Sequence, residues 1–339
     1  MRLCRFLLLL PALALAACGG ESRLPQLELV GNAMGTSYKV VLVEPPDALA
    51  EEELEADIVA SLRAVDELAS TWRDDSELSA LNANPSIDWI VVSAELCDAL
   101  DQALSVSRAT GGAFDVTVGP LVNLWGFGPD GQVLEPPSDE AVEAARQSVG
   151  FDKIEADCEA RLVRKDFAAL YVDLSGWAKG HAVDELARVL DANGLGNYLV
   201  EIGGEVRVRG HNSENRKWAI AIEAPSTSKR VPHAILRVTD TGVATSGDYR
   251  NFFAHGGRNY SHTIDTRTGR PVTHDLAAVT VVNPSTAYAD AMATALLVLG
   301  PEAGPNLATK LGVAGYFLVR TQTGIREITT PGFEQLSAK

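Results

Sequence analysis

The sequence is poor in cysteine and in basic residues, and it has only one long apolar run. Its 339 residues include 4 Cys, too few for a disulfide-framework protein. Lys and Arg total 29 against 45 Asp and Glu, for a formal net charge of -16. We expect no nucleic-acid partner, because phosphate recognition depends on basic side chains. The single apolar run, with no G-x-y repeat and no sustained heptads, excludes a multipass membrane protein, collagen and a coiled coil.

What the sequence does contain is enough apolar material for a large core. Hydrophobic residues make up 46% of the chain, which excludes a low-complexity disordered protein. The length predicts one large domain or two closely joined ones, since single cores stop growing near about 250–300 residues. Because neither an internal repeat nor a linker is visible, we expect two interlocked subdomains.

The apolar run stands at the N-terminus and has the layout of a secretory signal. Residues 6–17 (FLLLLPALALAA) follow Arg2 and Arg5. The run is too short to cross a bilayer, which takes about 20 residues in a helix. A buried N-terminal helix is the alternative, and Pro11 and the lack of a polar face argue against it.

The end of this run, Leu-Ala-Ala-Cys at 15–18, resembles the lipobox of bacterial lipoproteins. The resemblance implies a signal peptide over 1–17, a lipid on Cys18 and a tether over 18–27. It also implies a lipid-anchored protein on the periplasm-facing side of a bacterial membrane, and Gly19 favours the outer membrane slightly over the inner one. A plain cleaved signal peptide is the alternative.

Two further cysteines, Cys97 and Cys158, lie in the body of the chain. An oxidising compartment would allow them to pair. Cys97 falls in a helical pattern and Cys158 in a polar turn, and these positions do not show whether the two lie within bonding distance. The sequence leaves their pairing open.

The hydrophobic pattern of the chain predicts strands that cluster in hairpins rather than in strict βαβ units. This pattern is typical of an α+β fold with antiparallel-rich sheets and packed helices. Residues 113–137 follow neither period and are expected to be an ordered irregular segment. Helices are predicted at 48–69, 94–108, 139–149, 175–190, 285–299 and 302–310, and strands at 27–43 (two strands), 160–164, 168–172, 197–209, 218–223, 233–239, 249–255, 258–264, 277–282, 314–320 and 325–328.

The first candidate site segment is the glycine-rich turn at 111–120. It releases the chain from a helix and embeds Asp115 among apolar and small residues. An acid in such surroundings needs polar partners. Asp115 therefore either lines a ligand site or caps backbone N–H groups, and the sequence leaves both open.

The second segment is 173–181, where Asp173 precedes a small-residue turn that opens a helix. Such a turn commonly presents backbone groups to a charged ligand, although it lacks the pattern of a Walker loop. Lys179 falls in the first turn, where the helix dipole disfavours a cation. That placement suggests a ligand, and helix capping alone is the alternative.

The third and fourth segments supply oxygen donors and a base. Asp290 and Thr294 are four residues apart on an apolar helix, so both point the same way and suit a hard cation such as Mg²⁺. A back-bond from Thr294 to a carbonyl is the alternative. His262 and Asp265 flank a strand end beside a glycine turn, where a structural histidine is the alternative to a catalytic one.

Taken together, these segments resemble the ApbE family of FAD:protein FMN transferases, from Met34 to about Gly300. Each block is modest alone, whereas six in order are a strong signal. The blocks are GGAFDVTVGPLVNLWGFG (111–128), DLSGWAKGHAVD (173–184), VEIGGEVRVRG (200–210), ATSGDYRNFF (244–253), YSHTIDTRTGRPV (260–272) and ADAMATALLVLG (289–300).

The resemblance implies both a fold and an activity. The expected fold is ApbE-like and related to the T-fold, over residues 28–330. The expected enzyme is Mg²⁺-dependent and divides FAD at its pyrophosphate. It leaves FMN esterified to a Thr or Ser of an acceptor flavoprotein, within a flavinylation motif such as S-G-A-T, and releases AMP.

The resemblance also implies which residues act. His262 matches the proposed catalytic base, Asp265 is a second catalytic candidate, and Asp248 is a further alternative as base. The chain departs from the family pattern at Thr266, where D-P-x-T-G is usual, and we expect a small effect. The implied Mg²⁺ ligands are the Gly176 carbonyl, Asp290 and Thr294, and the implied FAD-binding residues are Met34, Trp72, Ala113, Phe114, Asp115, Asp173, Lys179 and Ile264.

These assignments suit the chemistry, and two other functions remain open at this point. Attack on a diphosphate needs charge neutralisation, which Mg²⁺ provides, and a base such as His262 to activate a hydroxyl. An FAD pyrophosphatase would use the same site with water in place of the acceptor. A non-catalytic FAD-binding lipoprotein is the third possibility, which the presence of His262 and Asp290 disfavours.

Overall fold

The computed structural model describes residues 23–133, 135–226, 231–249 and 251–337. The expected signal peptide and the expected lipidation site, Cys18, lie outside these residues. Among the helices of the described ranges, none has the length and hydropathy to cross a membrane.

Strands and helices alternate irregularly along the described chain. The strands are β1 (Gln26–Ala33), β2 (Thr36–Val43), β3 (Ile90–Val91), β4 (Ile154–Asp157), β5 (Leu162–Lys165), β6 (Tyr198–Ile202), β7 (Glu205–Arg209), β8 (Trp218–Glu223), β9 (Pro232–Val238), β10 (Thr241–Gly247), β11 (Phe252–His255), β12 (Arg258–Ser261), β13 (Ile264–Asp265), β14 (Arg270–Pro271), β15 (Leu276–Asn283), β16 (Ala314–Thr321) and β17 (Gly324–Thr329). The helices are α1 (Glu51–Ala69), α2 (Glu77–Ala83), α3 (Ala94–Thr110), α4 (Gly119–Leu124), α5 (Asp139–Gln147), α6 (Ser175–Ala192), α7 (Thr286–Leu311) and α8 (Pro331–Ser337), with a 3-10 turn at Phe151–Lys153.

The largest element is a sheet of eight strands in the order β1-β2-β6-β7-β10-β15-β16-β17. All neighbouring strands in it run antiparallel. The smaller sheets, β3-β5-β4, β8-β9, β11-β12 and β13-β14, are also antiparallel. The α+β, antiparallel-rich fold class predicted from the sequence is confirmed.

Helices α6 and α7 pack against each other beside the sheet, and glycines set how closely they approach. Helix α7 is apolar on nearly all sides, as expected of a buried helix, and it also contacts β10 and β15. A Cβ on Gly180 of α6 would lie 2.4 Å from the carbonyl oxygen of Thr286. A Cβ on Gly242 of β10 would lie 2.9 Å from the Cα of Thr286. These glycines therefore allow α6 and β10 to flank the start of α7 closely.

The apolar core occupies both faces of the large sheet. Helices α3 and α7 cover one face, where Leu96 and Val281 are fully buried. The β8–β9 hairpin and α8 cover the other, where Trp218 and Leu318 pack together. A separate small cluster around Trp125 joins α4 and α5 to β13. That cluster supports the segments that carry the candidate site.

Three predicted strands differ from the structure. The strand predicted over 258–264 divides into β12, which pairs with β11, and β13, which pairs with β14. Residues 168–172 form no strand ladder, because the Asn82 side-chain amide satisfies both backbone groups of Val172, with bonds of 2.7 and 2.8 Å. The strand predicted over 197–209 is two strands, since Gly203 and Gly204, both with positive φ, turn β6 back into β7.

Other elements were not predicted. Strand β10 was missed because its sequence, TGVATSG, is rich in small residues and gains its order from β7 and β15 on either side. Strands β3, β4 and β14 and helices α2, α4 and α8 were also not predicted. The two helices predicted at 285–299 and 302–310 are both present within α7, on either side of Gly300, whose φ of 81° and ψ of -173° are not helical.

The structure closes the question of the two remaining cysteines. Cys97 and Cys158 form a disulfide, with their Cα atoms 5.4 Å apart. The bond ties the start of α3 to the turn after β4. The sequence could not predict this pair because 61 positions separate its members.

Candidate active site

A cavity of about 860 Å³ lies between the start of α6, the loop that follows α1, and segments 113–118 and 262–266. His262, Gly176 and Thr294 line it, whereas Asp265 and Asp290 do not. Every residue implied for FAD also lines it: Met34, Trp72, Ala113, Phe114, Asp115, Asp173, Lys179 and Ile264. Residues far apart in the sequence are thus brought together at a single surface.

Asp173 lines the cavity and also binds the first residue of α6. Its Oδ1 accepts the backbone N–H of Ser175 at 2.8 Å and also the Ser175 hydroxyl. Its own N–H donates to the carbonyl of Val116 at 2.7 Å. These bonds hold the start of α6 against the segment that carries Phe114.

Gly176, in the first turn of α6, lines the cavity and has no side chain to cover its backbone. A Cβ at this position would lie 3.1 Å from the Phe114 ring and 3.5 Å from the Thr294 hydroxyl oxygen. A side chain would therefore crowd the cavity wall. Phe114 itself is only 5% exposed, whereas Trp72 at the rim is 67% exposed and is the freer of the two to stack on a planar ligand.

Lys179 lies between two buried carboxyl groups. Its Nζ is 3.7 Å from Glu205 Oε1 and 3.7 Å from Asp290 Oδ2. Burial opposes the charge on Lys179, but Asp290 and Glu205 outweigh it and raise the Lys179 pKa. Burial raises the pKa of Glu205 to about 8 and also raises that of Asp290, with Lys179 opposing both shifts. The cluster thus joins one ammonium to two acids that burial makes hard to ionise.

Asp290 and Thr294 place oxygen atoms on one face of α7, and of the two only Thr294 lines the cavity. Asp290 is 3% exposed, and its Oδ2 accepts the N–H of Gly180 at 3.1 Å. In an ideal helix the N–H of Gly180 donates to the carbonyl of Gly176. Asp290 therefore competes with that carbonyl for the same N–H. Thr294 Oγ1 is 3.1 Å from Ser246 Oγ.

These donors fit a hard cation. They are a carboxylate, a hydroxyl and a backbone carbonyl, all oxygen, which Mg²⁺ prefers. Glu205 Oε2 is buried with no hydrogen-bond partner, so the surroundings carry spare acceptor capacity. In the described part of the chain, no three His, Cys, Asp and Glu side chains form a metal cluster. A cation here would depend on hydroxyl, carbonyl and ligand oxygens beside Asp290.

Asp115 holds the 113–118 segment in shape. Its Oδ1 accepts the N–H and the hydroxyl of Thr117, at 2.8 and 2.6 Å, and its Oδ2 accepts the N–H of Phe151 at 3.1 Å. Burial raises its pKa, and these hydrogen bonds oppose the shift. The capping role left open from the sequence is therefore present at a residue that also lines the cavity.

One ring nitrogen of His262, Nδ1, forms a hydrogen bond, and the other, Nε2, has no hydrogen-bond partner among the described residues. Its Nδ1 lies 3.0 Å from the backbone carbonyl of Asn251, and because a carbonyl can only accept, Nδ1 carries the proton. Nε2 therefore keeps its lone pair. Burial lowers the pKa of His262, with the Asn251 bond opposing, so the ring is neutral at neutral pH. This is the state that a general base requires.

The two carboxylates near His262 in the sequence, Asp265 and Asp248, both pair with arginines. Asp265 binds the guanidinium of Arg267 at 2.8 and 2.9 Å and caps the turn that follows. Asp248 forms a two-point ion pair with Arg320, at 2.7 and 2.6 Å. Neither lines the cavity, so of these three residues only His262 does, and a catalytic role for Asp265 stays a prediction.

Comparison with known proteins identifies the family of this chain. The model of the ApbE family matches residues 34–317, which is most of the chain. The chain belongs to the ApbE family. The family predicted from the six sequence blocks is confirmed.

Relatives of this ApbE-family chain are named as transferases. It is 40% identical to the FAD:protein FMN transferase of Vibrio cholerae over 96% of this chain and 97% of that protein. It is 40% identical to that of Haemophilus influenzae over 96% and 95%. The crystal structure of the flavin transferase ApbE from Vibrio cholerae matches with a TM-score of 0.85 at 38% identity, over 92% of this chain and 99% of that one. The ApbE protein of Thermotoga maritima matches with a TM-score of 0.81 at 26% identity, over 93% and 100%.

Some residues of the site escaped the sequence reasoning. Glu205 and Ser246 lie inside blocks of the ApbE pattern, but nothing local in the sequence distinguishes them from ordinary strand residues. Thr266 lines the cavity, although only a small effect was expected of it. Arg73, also in the lining, carried no sequence signal at all.

Proposed function

We propose that this ApbE-family protein transfers FMN from FAD to a Ser or Thr hydroxyl of an acceptor flavoprotein and releases AMP. One observation carries the proposal. His262 has its proton fixed on Nδ1 and, among the described residues, no hydrogen-bond partner at Nε2, and it lines the same cavity as Lys179 and Thr294. The names of the relatives support FAD as the substrate and a protein as the acceptor.

The step replaces the phosphoanhydride bond of FAD with a phosphoester bond to the acceptor. The acceptor hydroxyl oxygen forms a bond to the phosphorus on the FMN side of the pyrophosphate, and its proton passes to Nε2 of His262. The bond from that phosphorus to the bridging oxygen breaks, and the electron pair leaves on AMP. Water in place of the acceptor would give free FMN, so the protein must favour the acceptor hydroxyl over water at this position.

Lys179 offers the substrate a fixed positive charge. Because its pKa is raised, its ammonium remains charged throughout the neutral range. Its side chain is 32% exposed, and it lines the cavity. Its ammonium can therefore contact a pyrophosphate oxygen while it remains paired with Glu205 and Asp290.

Three donors would hold the cation. Gly176, Asp290 and Thr294 would bind Mg²⁺, which when bound supplies charge neutralisation on the phosphoryl oxygens. The oxygen-only chemistry of these donors supports the assignment. Ala293 beside them contributes no side-chain oxygen, so water and substrate oxygens would complete the shell.

We also propose that the protein works in an oxidising compartment, anchored by a lipid on Cys18. The Cys97–Cys158 disulfide supports this, since such bonds persist in secreted and periplasmic proteins and are rare in the cytosol. Incorporation of a radiolabelled fatty acid into the full chain, and its loss in Cys18→Ala, tests the anchor. Unlabelled wild-type protein would contradict it.

A gel assay tests the activity. The purified protein is mixed with FAD, MgCl₂ and a protein bearing an S-G-A-T-type acceptor, and flavin fluorescence is sought in the denatured acceptor band. A band that requires Mg²⁺ and the acceptor Thr supports the transferase, with a Thr→Val acceptor as the matched control. Release of FMN and AMP without a band would instead indicate an FAD pyrophosphatase. Bound FAD without turnover would indicate a carrier.

A further inference from the structure

Ser246 stands beside the proposed cation site without an assigned role. It lies on β10, lines the cavity, and places its Oγ 3.1 Å from Oγ1 of Thr294. Thr294 is in turn the neighbour of Gly176, whose Cβ position would lie 3.5 Å from the same Oγ1. Ser246 is therefore the side-chain partner of a residue that faces the other donors.

The contact with Ser246 bears on the direction in which the hydroxyl of Thr294 points its proton. A hydroxyl has one proton and two acceptor lone pairs. A hydroxyl that binds a cation gives it a lone pair, so its proton must point to a different acceptor. A helical threonine often bonds back to the carbonyl four residues earlier, which here belongs to Asp290. In this structure the hydroxyl of Thr294 has the oxygen of Ser246 instead.

We propose that Ser246 is a positioning residue: its Oγ accepts the Thr294 proton and so turns the lone pairs of Thr294 toward the cation. This inference rests on the proposed function, because it takes Thr294 as a cation ligand. One consequence follows from the count of protons. With one lone pair used by Thr294, Ser246 keeps its own proton, which can donate to a phosphate oxygen of a substrate bound in the cavity.

Strand β10 also provides a comparison pair. Thr245, next to Ser246, pairs across β10 and β15 with Thr280, and their hydroxyl oxygens are 2.8 Å apart. Neighbouring residues of a strand face opposite sides of the sheet, and neither Thr245 nor Thr280 lines the cavity. Thr245→Val therefore removes a hydroxyl pair from the same strand without touching the site.

The experiment measures cation binding directly. MgCl₂ is titrated into the full protein saturated with FAD, with no acceptor present, and binding is followed by calorimetry and by the rise in Tm. We expect Ser246→Ala to weaken Mg²⁺ binding about 10- to 100-fold, the usual range for residues that orient a metal ligand. Ser246→Thr, which keeps the oxygen, should restore it, and Thr245→Val should bind Mg²⁺ as the wild type does.

Two further variants separate the possible failures. Thr294→Ala should weaken Mg²⁺ binding at least as much, and adding Ser246→Ala to it should cost nothing more, because both act through one hydroxyl. If Thr294→Ala weakens binding but Ser246→Ala does not, the inference on Ser246 is wrong and the cation site stands. If Thr294→Ala binds Mg²⁺ normally, the proposed cation site is wrong and Ser246 loses its role with it.

Discussion

Thr266 donates its hydroxyl to the backbone carbonyl of Gly112 at 3.0 Å. The bond joins the segment that carries His262 to the segment that carries Phe114, and both segments line the cavity. It gives Thr266 a specific contact at the position where the resemblance to the family leads us to expect a proline.

Loss of that bond should affect FAD binding. We expect Thr266→Val, which keeps the shape but removes the donor, to raise the KM for FAD roughly 5-fold, the effect of one hydrogen bond worth about 1 kcal/mol. Thr266→Ser should restore it. Thr268→Val is the matched control, since its hydroxyl bonds within its own turn, to Asp265 at 3.2 Å. Equal KM changes in the Thr266 and Thr268 variants would show that only turn stability was altered.

Removal of the Asp290 carboxylate should abolish Mg²⁺-dependent turnover. We expect AMP release by Asp290→Ala to fall by at least about 100-fold at any MgCl₂ concentration, because the single buried acid among the proposed donors is lost. Asp290→Asn keeps the acceptor for Gly180 and controls for helix packing. Both should retain the far-ultraviolet circular dichroism of the wild type. Folded Asp290→Ala that still responds to Mg²⁺ would remove the proposed site.

Removal of the His262 ring should separate binding from transfer. His262→Ala is expected to bind FAD with an unchanged Kd but to transfer FMN about 10²–10⁴-fold more slowly, the usual contribution of a general base. Fluorescence quenching gives the first quantity and the gel assay the second. His255→Ala, at the tip of the same hairpin, should keep both. A fully active His262→Ala would mean that another group accepts the proton.

The pH profile should report the state of the same ring. His262 must be neutral to accept a proton, and burial holds its pKa below the ordinary value of 6.5. At saturating Mg²⁺, kcat/KM should therefore be level through neutral pH and fall only as the pH drops through that lowered pKa. An acid limb centred above 6.5 would contradict the burial effect. The limb should be absent from the residual activity of His262→Ala.

The disulfide should matter for stability more than for chemistry. Closing a loop of 61 positions is worth up to about 4 kcal/mol in the chain-entropy account. Cys97→Ala with Cys158→Ala should therefore lower the Tm by roughly 6 °C. Since neither cysteine lines the cavity, transfer well below that Tm should persist. Dithiothreitol should lower the Tm of the wild type alone, and an equal loss in the double variant would assign the effect elsewhere.

Much of the fold could be predicted because its signals are local. Helix α3 begins at Ala94 as predicted, where Ser93 caps it and accepts the N–H of Leu96 at 3.0 Å. Helix α1 shows the expected spacing of buried Leu54, Ile58 and Leu62. Strand β10 and the 168–172 segment failed because their backbone partners come from elsewhere in the chain: neighbouring strands in one case and the Asn82 side chain in the other.

The sequence by itself determined the family, the antiparallel α+β class and the type of chemistry that each block offers: an acid and a hydroxyl on α7, a lysine on α6 and a histidine beside a turn. Those follow from residue identity and short-range spacing. Only the tertiary structure decided which of them meet. It placed Glu205 beside Lys179, Ser246 beside Thr294 and Cys97 beside Cys158, and it paired Asp248 with Arg320. These contacts join elements that are distant in the sequence, and local periodicity does not encode which distant elements meet.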